Sequence, residues 1–239
     1  MDKTKFNLAE AVVDIPDGAT VMIGGFGGAG APIELIHSLL ERFRATGHPK
    51  HLTLVNNNAG NGHVGLGALI ECGTVKRLIC SFPRSVDSRA FSQKYRAKEI
   101  ELELVPQGTF AERIRAGGAG IPAFYTPTAL GTDLARNKPV AEFDGRMYLQ
   151  ERWLKADFAL IKAEVGDEHG NLTYRMAGRN FNPLMAMAAQ CTVAQVRRIV
   201  PAGRIDPETV VTPGIFVTRV VEVSDPQQEE QLNRAGAIF

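Results

Sequence analysis

Apolar residues recur along the chain in runs of strand length, at residues 21–23, 52–55, 75–80, 100–105, 158–163, 195–200 and 215–223. Short apolar runs bounded by Gly, Pro, Asn or Asp read as strands buried on both faces. Between several of them the apolar spacing becomes helical. Over residues 32–44, Ile33, Ile36, Leu39, Leu40 and Phe43 fall near one face, and Pro32 suits a first helical turn. Residues 65–72, 88–98 and a segment opening at 111–115 predict further helices. Strands alternating with helices predict an α/β fold: a mainly parallel open sheet with helices on both faces. Asp167-Glu168-His169-Gly170-Asn171 predicts a hairpin turn. Asn182-Pro183 precedes an expected helix over residues 184–190. Residues 117–137 have no clear period and are expected to be an ordered loop. Residues 1–223 read as one domain, and the polar residues 224–239 as a mobile tail.

Composition narrows the classes. The chain has 239 residues, 44% of them apolar, with a net charge of +1. That is enough for a substantial core. The charge is balanced and interspersed, so neither disorder nor a nucleic-acid surface is expected. Cys72, Cys80 and Cys191 have no C-x-x-C spacing, which argues against a zinc site or a disulfide framework. No histidine cluster suggests a metal. The first residues lack an apolar signal core, and no run reaches 18 apolar residues, so a cytoplasmic chain without a membrane span is expected.

The glycines cluster after the first apolar run, in Val21-Met-Ile-Gly-Gly-Phe-Gly-Gly-Ala-Gly-Ala-Pro32. Gly25, Gly27 and Gly30 satisfy G-x-G-x-x-G, the dinucleotide fingerprint. That fingerprint also needs an acidic residue at the end of the next strand. Here that strand ends in Asn56-Asn57-Asn58. No Gly-Lys-Ser or Gly-Lys-Thr follows, so a P-loop is absent too. The turn is left with two readings, a tight structural turn or a site for another ligand that approaches the backbone. Asparagine is poor in strands. The row serves either as a turn with Asx hydrogen bonds or as a set of amide donors for a carboxylate or developing oxyanion. Gln107 follows the strand at 100–105 in the same manner. Two strands thus end in amides on one expected sheet edge.

These residues resemble the alpha (A) subunit of the family I coenzyme A transferases, which act on 3-oxo acids. The matching segments are Val21–Gly27 with Pro32, Asn57-Asn-Ala-Gly60, Pro106 through Gly120, Pro122-Ala-Phe-Tyr-Thr-Pro127, Asp157 through Ala163, and Arg179-Asn-Phe-Asn182. The resemblance spans residues 4–223. Asn57 through Gly62 and Cys80-Ser-Phe-Pro-Arg84 favour the 3-oxoadipate:succinate type over the acetoacetate type. Asn56 departs from the serine expected there.

The resemblance implies the CoA-transferase fold, with a coenzyme A thioester as substrate and no permanently bound cofactor. It implies transfer of coenzyme A from succinyl-CoA to a 3-oxo acid through a glutamyl-CoA thioester. The glutamate lies in a Ser-Glu-Asn-Gly motif of a beta subunit, in an αβ or α2β2 heteromer. No such motif occurs here; Glu71-Cys-Gly73, Glu164-Val-Gly166 and Glu168-His-Gly170 lack both Ser and Asn. Asn57, Asn58 and Gln107 are implied to line the acyl site as donors to oxyanion or carboxylate. Gly24, Gly25, Phe26 and Gly27 are implied to lie against the coenzyme. Arg84 and Arg89 are candidates for the distal carboxylate of a dicarboxylic substrate, with a solvated surface arginine as the plainer reading. His63 is the one histidine close to the asparagine row. Two other classes compete: a dinucleotide-dependent oxidoreductase, disfavoured by the missing acid, and a non-catalytic sensor of sugar phosphates or acyl-CoA. The chain has no G-x-S-x-G elbow of a self-contained hydrolase.

Overall fold

The computed structural model describes residues 2–234. Its centre is a nine-stranded sheet. The spatial order is β1 (Thr4–Lys5), β12 (Arg219–Glu222), β11 (Ala189–Val200), β9 (Ala156–Asp167), β2 (Thr20–Ile23), β3 (Leu52–Val55), β4 (Val75–Cys80) and β5 (Glu101–Leu104). All these neighbours pair in parallel. The ninth strand, β10 (Leu172–Thr173), turns back antiparallel on β9 through the expected hairpin.

In the central strands successive side chains point to opposite sides and reach separate cores, whereas the edge strand β5 is partly exposed. Val21 and Ile23 join one core while Met22 joins the other, and the same split separates Leu54 from Val55 and Leu78 from Ile79. One core takes in α1 (Leu8–Val12), α2 (Ile33–Thr46), α3 (Leu66–Glu71) and Phe91 of α4 (Arg89–Arg96). The other takes in Phe110 and Ile114 of α5 (Gln107–Ala119) and Met185 of α6 (Asn182–Ala188). Helices on both faces of a parallel sheet are therefore present. Helix α2 buries the stripe seen in the sequence and stops at Gly47, whose left-handed φ of 75° lets its N–H reach Phe43 O at 2.7 Å.

Two segments differ from the sequence reading. Residues 117–137 are not one loop. Gly117 and Gly118 belong to the end of α5, because side chains there would strike Leu154 O and Met187. These glycines let the helix approach its neighbours closely, so they do not break it. Beyond them, β6 (Ala123–Thr126) pairs with β8 (Arg146–Arg152), which also pairs with β7 (Val140–Phe143), forming a separate three-stranded antiparallel sheet. Its strands mix aromatic, charged and small residues, so no alternation announced them. In the polar segment read as a mobile tail, residues 227–234 form α7 (Gln227–Arg234). Leu232 of α7 is buried. Glu34 of α2 accepts the N–H groups of Gln228 and Glu229 at 2.8 and 3.0 Å, capping the helix. Glu229 lies 2.5 Å from Lys162 Nζ and 2.7 Å from Arg197 Nη2. A helix with one buried apolar residue and an anchor of ion pairs has no hydrophobic period to read. Residues 235–239 of that expected tail lie outside the described residues.

The turn after β2 is fastened by a residue far away in sequence. Asn182 is fully buried, and its Oδ1 accepts the N–H of Lys162 at 3.1 Å. Its Nδ2 donates to Gly30 O at 3.0 Å and to Gly178 O at 2.8 Å. A Cβ on Gly24 would overlap Asn182 Oδ1. Gly24→Ala is therefore expected to destabilise the chain by about 2 kcal/mol through overpacking. Asn182→Ala should cost about 3 kcal/mol by leaving the buried Gly30 O and two part-buried backbone groups, Lys162 N and Gly178 O, without that partner. Urea denaturation of the two variants against wild type checks both values; a loss below about 0.5 kcal/mol for either would refute its assigned role.

Candidate active site

The segments singled out in the sequence leave the carboxyl ends of four adjacent parallel strands. The glycine turn follows β2, the asparagine row β3, Ser81 through Val86 follow β4, and Gln107 comes just after β5. This is the edge at which open α/β sheets take their ligands. A cleft of about 570 Å³ lies there, lined by Phe26, Gly27, Asn57, Asn58, Ser81, Phe82, Arg84, Ser85, Val86 and Gln107. The predicted amides Asn57, Asn58 and Gln107 thus meet in one place, together with Phe26, Gly27 and Arg84.

Gly24 and Gly25 do not line this cleft. Gly24 faces Asn182, and a Cβ on Gly25 would lie 3.0 Å from Ala31. Their lack of a side chain serves packing within the chain. Gly24 does contribute to a narrow cavity of about 70 Å³ beneath the turn, with Asn56, Asn58 and Leu232.

The local geometry also explains why the fingerprint does not make a dinucleotide site. Phe26 N donates to Ala29 O at 3.0 Å and Ala29 N to Phe26 O at 3.1 Å, closing the turn on itself. At the start of α2, where a pyrophosphate would lie, Leu35 N donates to the buried Gln195 Oε1 at 3.1 Å. Ile33 N donates to Ala31 O at 3.0 Å, so two of the first N–H groups of the helix are already taken.

The asparagine row divides its tasks. Asn56, buried, donates through Nδ2 to Ile23 O at 2.6 Å and accepts from Asn58 N at 2.9 Å, tying β2 to β3. Its role is structural. Asn58 Oδ1 accepts from Gly60 N at 2.8 Å, an Asx turn. Asn57 Oδ1 accepts from Ser81 Oγ at 2.8 Å. Among the described residues, neither Asn57 nor Asn58 uses its Nδ2 in a hydrogen bond, so both retain amide donors. Gln107 is exposed and opens α5, which has no side-chain cap at Pro106. The positive end of that helix dipole adds to the donors and favours an anion there.

The wall is aromatic. Phe26 stacks on Phe181 at 6.5 Å, and Phe181 meets the buried Phe110 edge-on at 5.4 Å. Phe82 and Val86 stand exposed at the opposite side. Arg84 is exposed and is the cation among the lining residues. None of the lining residues carries a carboxylate. Cys80 is buried just behind the cleft, and burial pushes its thiol up to about 12, so it supplies no thiolate.

Two further candidates, Arg89 and His63, fall outside the cleft. Arg89 forks onto Asp87 at 2.8 and 2.7 Å, and that guanidinium holds the Asp87 carboxyl down at about 2. An arginine so paired is not open to a substrate carboxylate. His63 lies 2.9 Å from Glu71 on the surface. A further concavity of about 440 Å³ lies beside Gly28–Gly30; of its three cations, Lys162 and Arg197 hold Glu229 and Arg175 is exposed. Among the described residues, no group of three or more His, Cys, Asp or Glu is placed to hold a metal ion. No helix among them is long and apolar enough to cross a membrane.

Sequence reasoning missed the positions held by Ser81 and Asn182. Ser81 follows a strand as any turn residue would, and Asn182 reads as a helix start. Each acts through a partner distant in sequence.

Comparison with known proteins agrees with this architecture. Residues 5–223 match the family model described as Coenzyme A transferase. The chain is 57% identical over 224 residues to the A subunit of the 3-oxoadipate CoA-transferase of Pseudomonas putida, covering 94% of this chain and 95% of that one. It is 46% identical over 224 residues to the A subunit of the succinyl-CoA:3-ketoacid coenzyme A transferase of Xanthomonas campestris, covering 93% of this chain and 90% of the relative. Among solved structures, the acyl-CoA transferase of Escherichia coli O157:H7, crystallised as a thioester complex with CoA, superposes with a TM-score of 0.83 at 24% identity. That match covers 95% of this chain but 50% of the other, so the chain spans half of that larger protein's length. With its sheet, its glycine turn and nearly its whole length matched, the chain belongs to the coenzyme A transferase family.

Proposed function

We propose that this chain is the A subunit of a heteromeric 3-oxo acid coenzyme A transferase. In this reading it moves coenzyme A from succinyl-CoA to a 3-oxo acid, foremost 3-oxoadipate. The observation that carries the proposal is the convergence of the Asn57, Asn58 and Gln107 amides with Arg84 in one cleft that has no carboxylate of its own. The Pseudomonas putida relative, 57% identical, is named for 3-oxoadipate.

The chemistry is the one that the family resemblance implies, and the lining suits it. The nucleophile is a glutamate of the B subunit, in an αβ or α2β2 assembly, and the cleft faces it. Its carboxylate attacks the thioester carbonyl, and the thiolate of coenzyme A leaves, giving a mixed anhydride. The thiolate then attacks the glutamyl carbonyl, which releases the first acid and forms the glutamyl-CoA thioester. The incoming 3-oxo acid repeats the two steps in reverse. Each step develops negative charge on a carbonyl oxygen. Neutral amides stabilise that oxygen without tying up the nucleophilic carboxylate in an ion pair, as a cation would. One such donor contributes about 2.7–4 kcal/mol to the transition state. Phe26 and Gly27 border the path of the thioester, and the coenzyme's remaining contacts come largely from the partner. Arg84 sits where it can meet the far carboxylate of a dicarboxylic acid.

A second reading, an acetoacetate-type transferase, is supported by the 46% identical relative named for 3-ketoacids. Arg84 separates the two, since acetoacetate has no second carboxylate. The deciding assay measures transfer from succinyl-CoA to 3-oxoadipate and to acetoacetate, by this chain alone and with the protein encoded beside it. Activity only in the mixture is expected, and turnover by this chain alone would refute the split site.

Gln107→Ala is expected to lower kcat of the assembled enzyme by about two powers of ten or more. Near wild-type turnover would remove Gln107 from the donor set. Arg84→Ala should raise KM for 3-oxoadipate about tenfold and leave KM for a monocarboxylic acceptor unchanged; an equal effect on both acceptors would defeat its role in selecting dicarboxylates.

A further inference from the structure

Ser81 is the first residue beyond β4, and Asn57 the second beyond β3. The two strands run in parallel with Val55 opposite Ile79, so two further steps bring Asn57 opposite Ser81. A bridge between Asn58 and Phe82 carries the ladder on at this point. Ser81 Oγ lies 2.8 Å from Asn57 Oδ1 and 3.1 Å from Asn57 O. That backbone oxygen already accepts from Ser81 N at 3.2 Å and from Phe82 N at 3.0 Å. Two acceptances use its two lone pairs, so the single hydroxyl proton goes to Oδ1.

A primary amide has nearly the same shape in its two flipped orientations. A half-turn about its last torsion exchanges an acceptor for two donors. Without a lock, the oxygen of Asn57 would turn into the cleft for part of the time, toward a substrate oxygen that carries negative charge. We infer that Ser81 is a positioning residue whose hydroxyl holds the Asn57 oxygen back and so presents the Asn57 NH₂ to the reacting carbonyl. The inference rests on the donor role of Asn57 in the transferase reading. The oxygens of Asn56 and Asn58 are held by backbone N–H groups, which substitution of a side chain does not remove. Only the lock on Asn57 is itself a side chain. Asn57 and Asn58 are thereby made to offer donors alone.

The test uses the assembled enzyme. Ser81→Ala should lower kcat about tenfold, the worth of one such hydrogen bond, with KM for succinyl-CoA little changed. Ser81→Thr, which keeps the hydroxyl, should restore most of the loss. In an Asn57→Ala background, Ser81→Ala should cost nothing further, because the residue being positioned is gone. An equal loss in both backgrounds, or an unchanged kcat in the single variant, overturns the inference. Failure of the wild-type pair to transfer coenzyme A would refute the proposed function instead. The lock is then decided on the full chain by ¹⁵N NMR of the Asn57 side-chain amide, assigned by its loss in Asn57→Ala. Ser81→Ala should shift that signal and Ser81→Thr should leave it in place. A signal indifferent to Ser81→Ala overturns the lock whatever the reaction.

Discussion

The ligand-facing edge of this molecule depends on one buried amide. Asn182 joins three pieces of chain that have no local reason to meet: the glycine turn at Gly30, the backbone of β9 at Lys162 and the loop at Gly178. The three neutral hydrogen bonds are short-ranged and directional, and they start from a side chain that is itself fully buried. They set the path of the turn after β2, and the turn sets where Phe26 and Gly27 stand. Phe26 then leans on Phe181, one residue before Asn182, which leans on Phe110. One wall of the cleft is therefore an extension of the core. The absence of a side chain at Gly24 is the counterpart of this arrangement, since the amide occupies the space a Cβ would take.

The opposite wall is built by a different principle. Asn57, Asn58, Ser81 and Phe82 sit just past the ends of two paired parallel strands, where the ladder continues without regular strand geometry. Register alone decides which side chains are neighbours there. The same short reach that places Ser81 against Asn57 leaves Asn56 to bind β2 to β3. Three identical residues in sequence thus do unlike work, and the difference lies in which backbone groups surround each one.

Much of this was legible beforehand. β2 and β3 stood out because central parallel strands are largely apolar, β4 and the edge strand β5 because each lies within a short run rich in apolar residues, and α2 because its stripe is wide and ends at a glycine. Asn57, Asn58 and Gln107 stood out because amides are out of place at strand ends. The remainder was hidden for physical reasons. The small sheet of β6, β7 and β8 is aromatic and charged, with Tyr125, Phe143 and Tyr148 packed edge to face, so its residues follow no two-residue alternation. α7 is anchored by Glu34, Lys162 and Arg197, all distant in sequence. Arg89 looked available because its chelation by Asp87 is a matter of conformation. Ser81 and Asn182 act only through long-range pairing, which no local pattern records.

The make-up of the cleft wall has a consequence for how the assembled enzyme answers to acidity. Amides, hydroxyls, phenyl rings and a guanidinium keep their protonation state from about pH 5 to pH 9. The wall built by this chain is thus chemically constant across the range in which carboxylates, imidazoles and thiols change. Under the proposed split site, a bend in a rate-against-pH curve would come from groups outside this wall, the partner's glutamate and the reacting acids among them. A site divided as proposed would then be a division of labour in which one half titrates and the other serves as a fixed electrostatic mould.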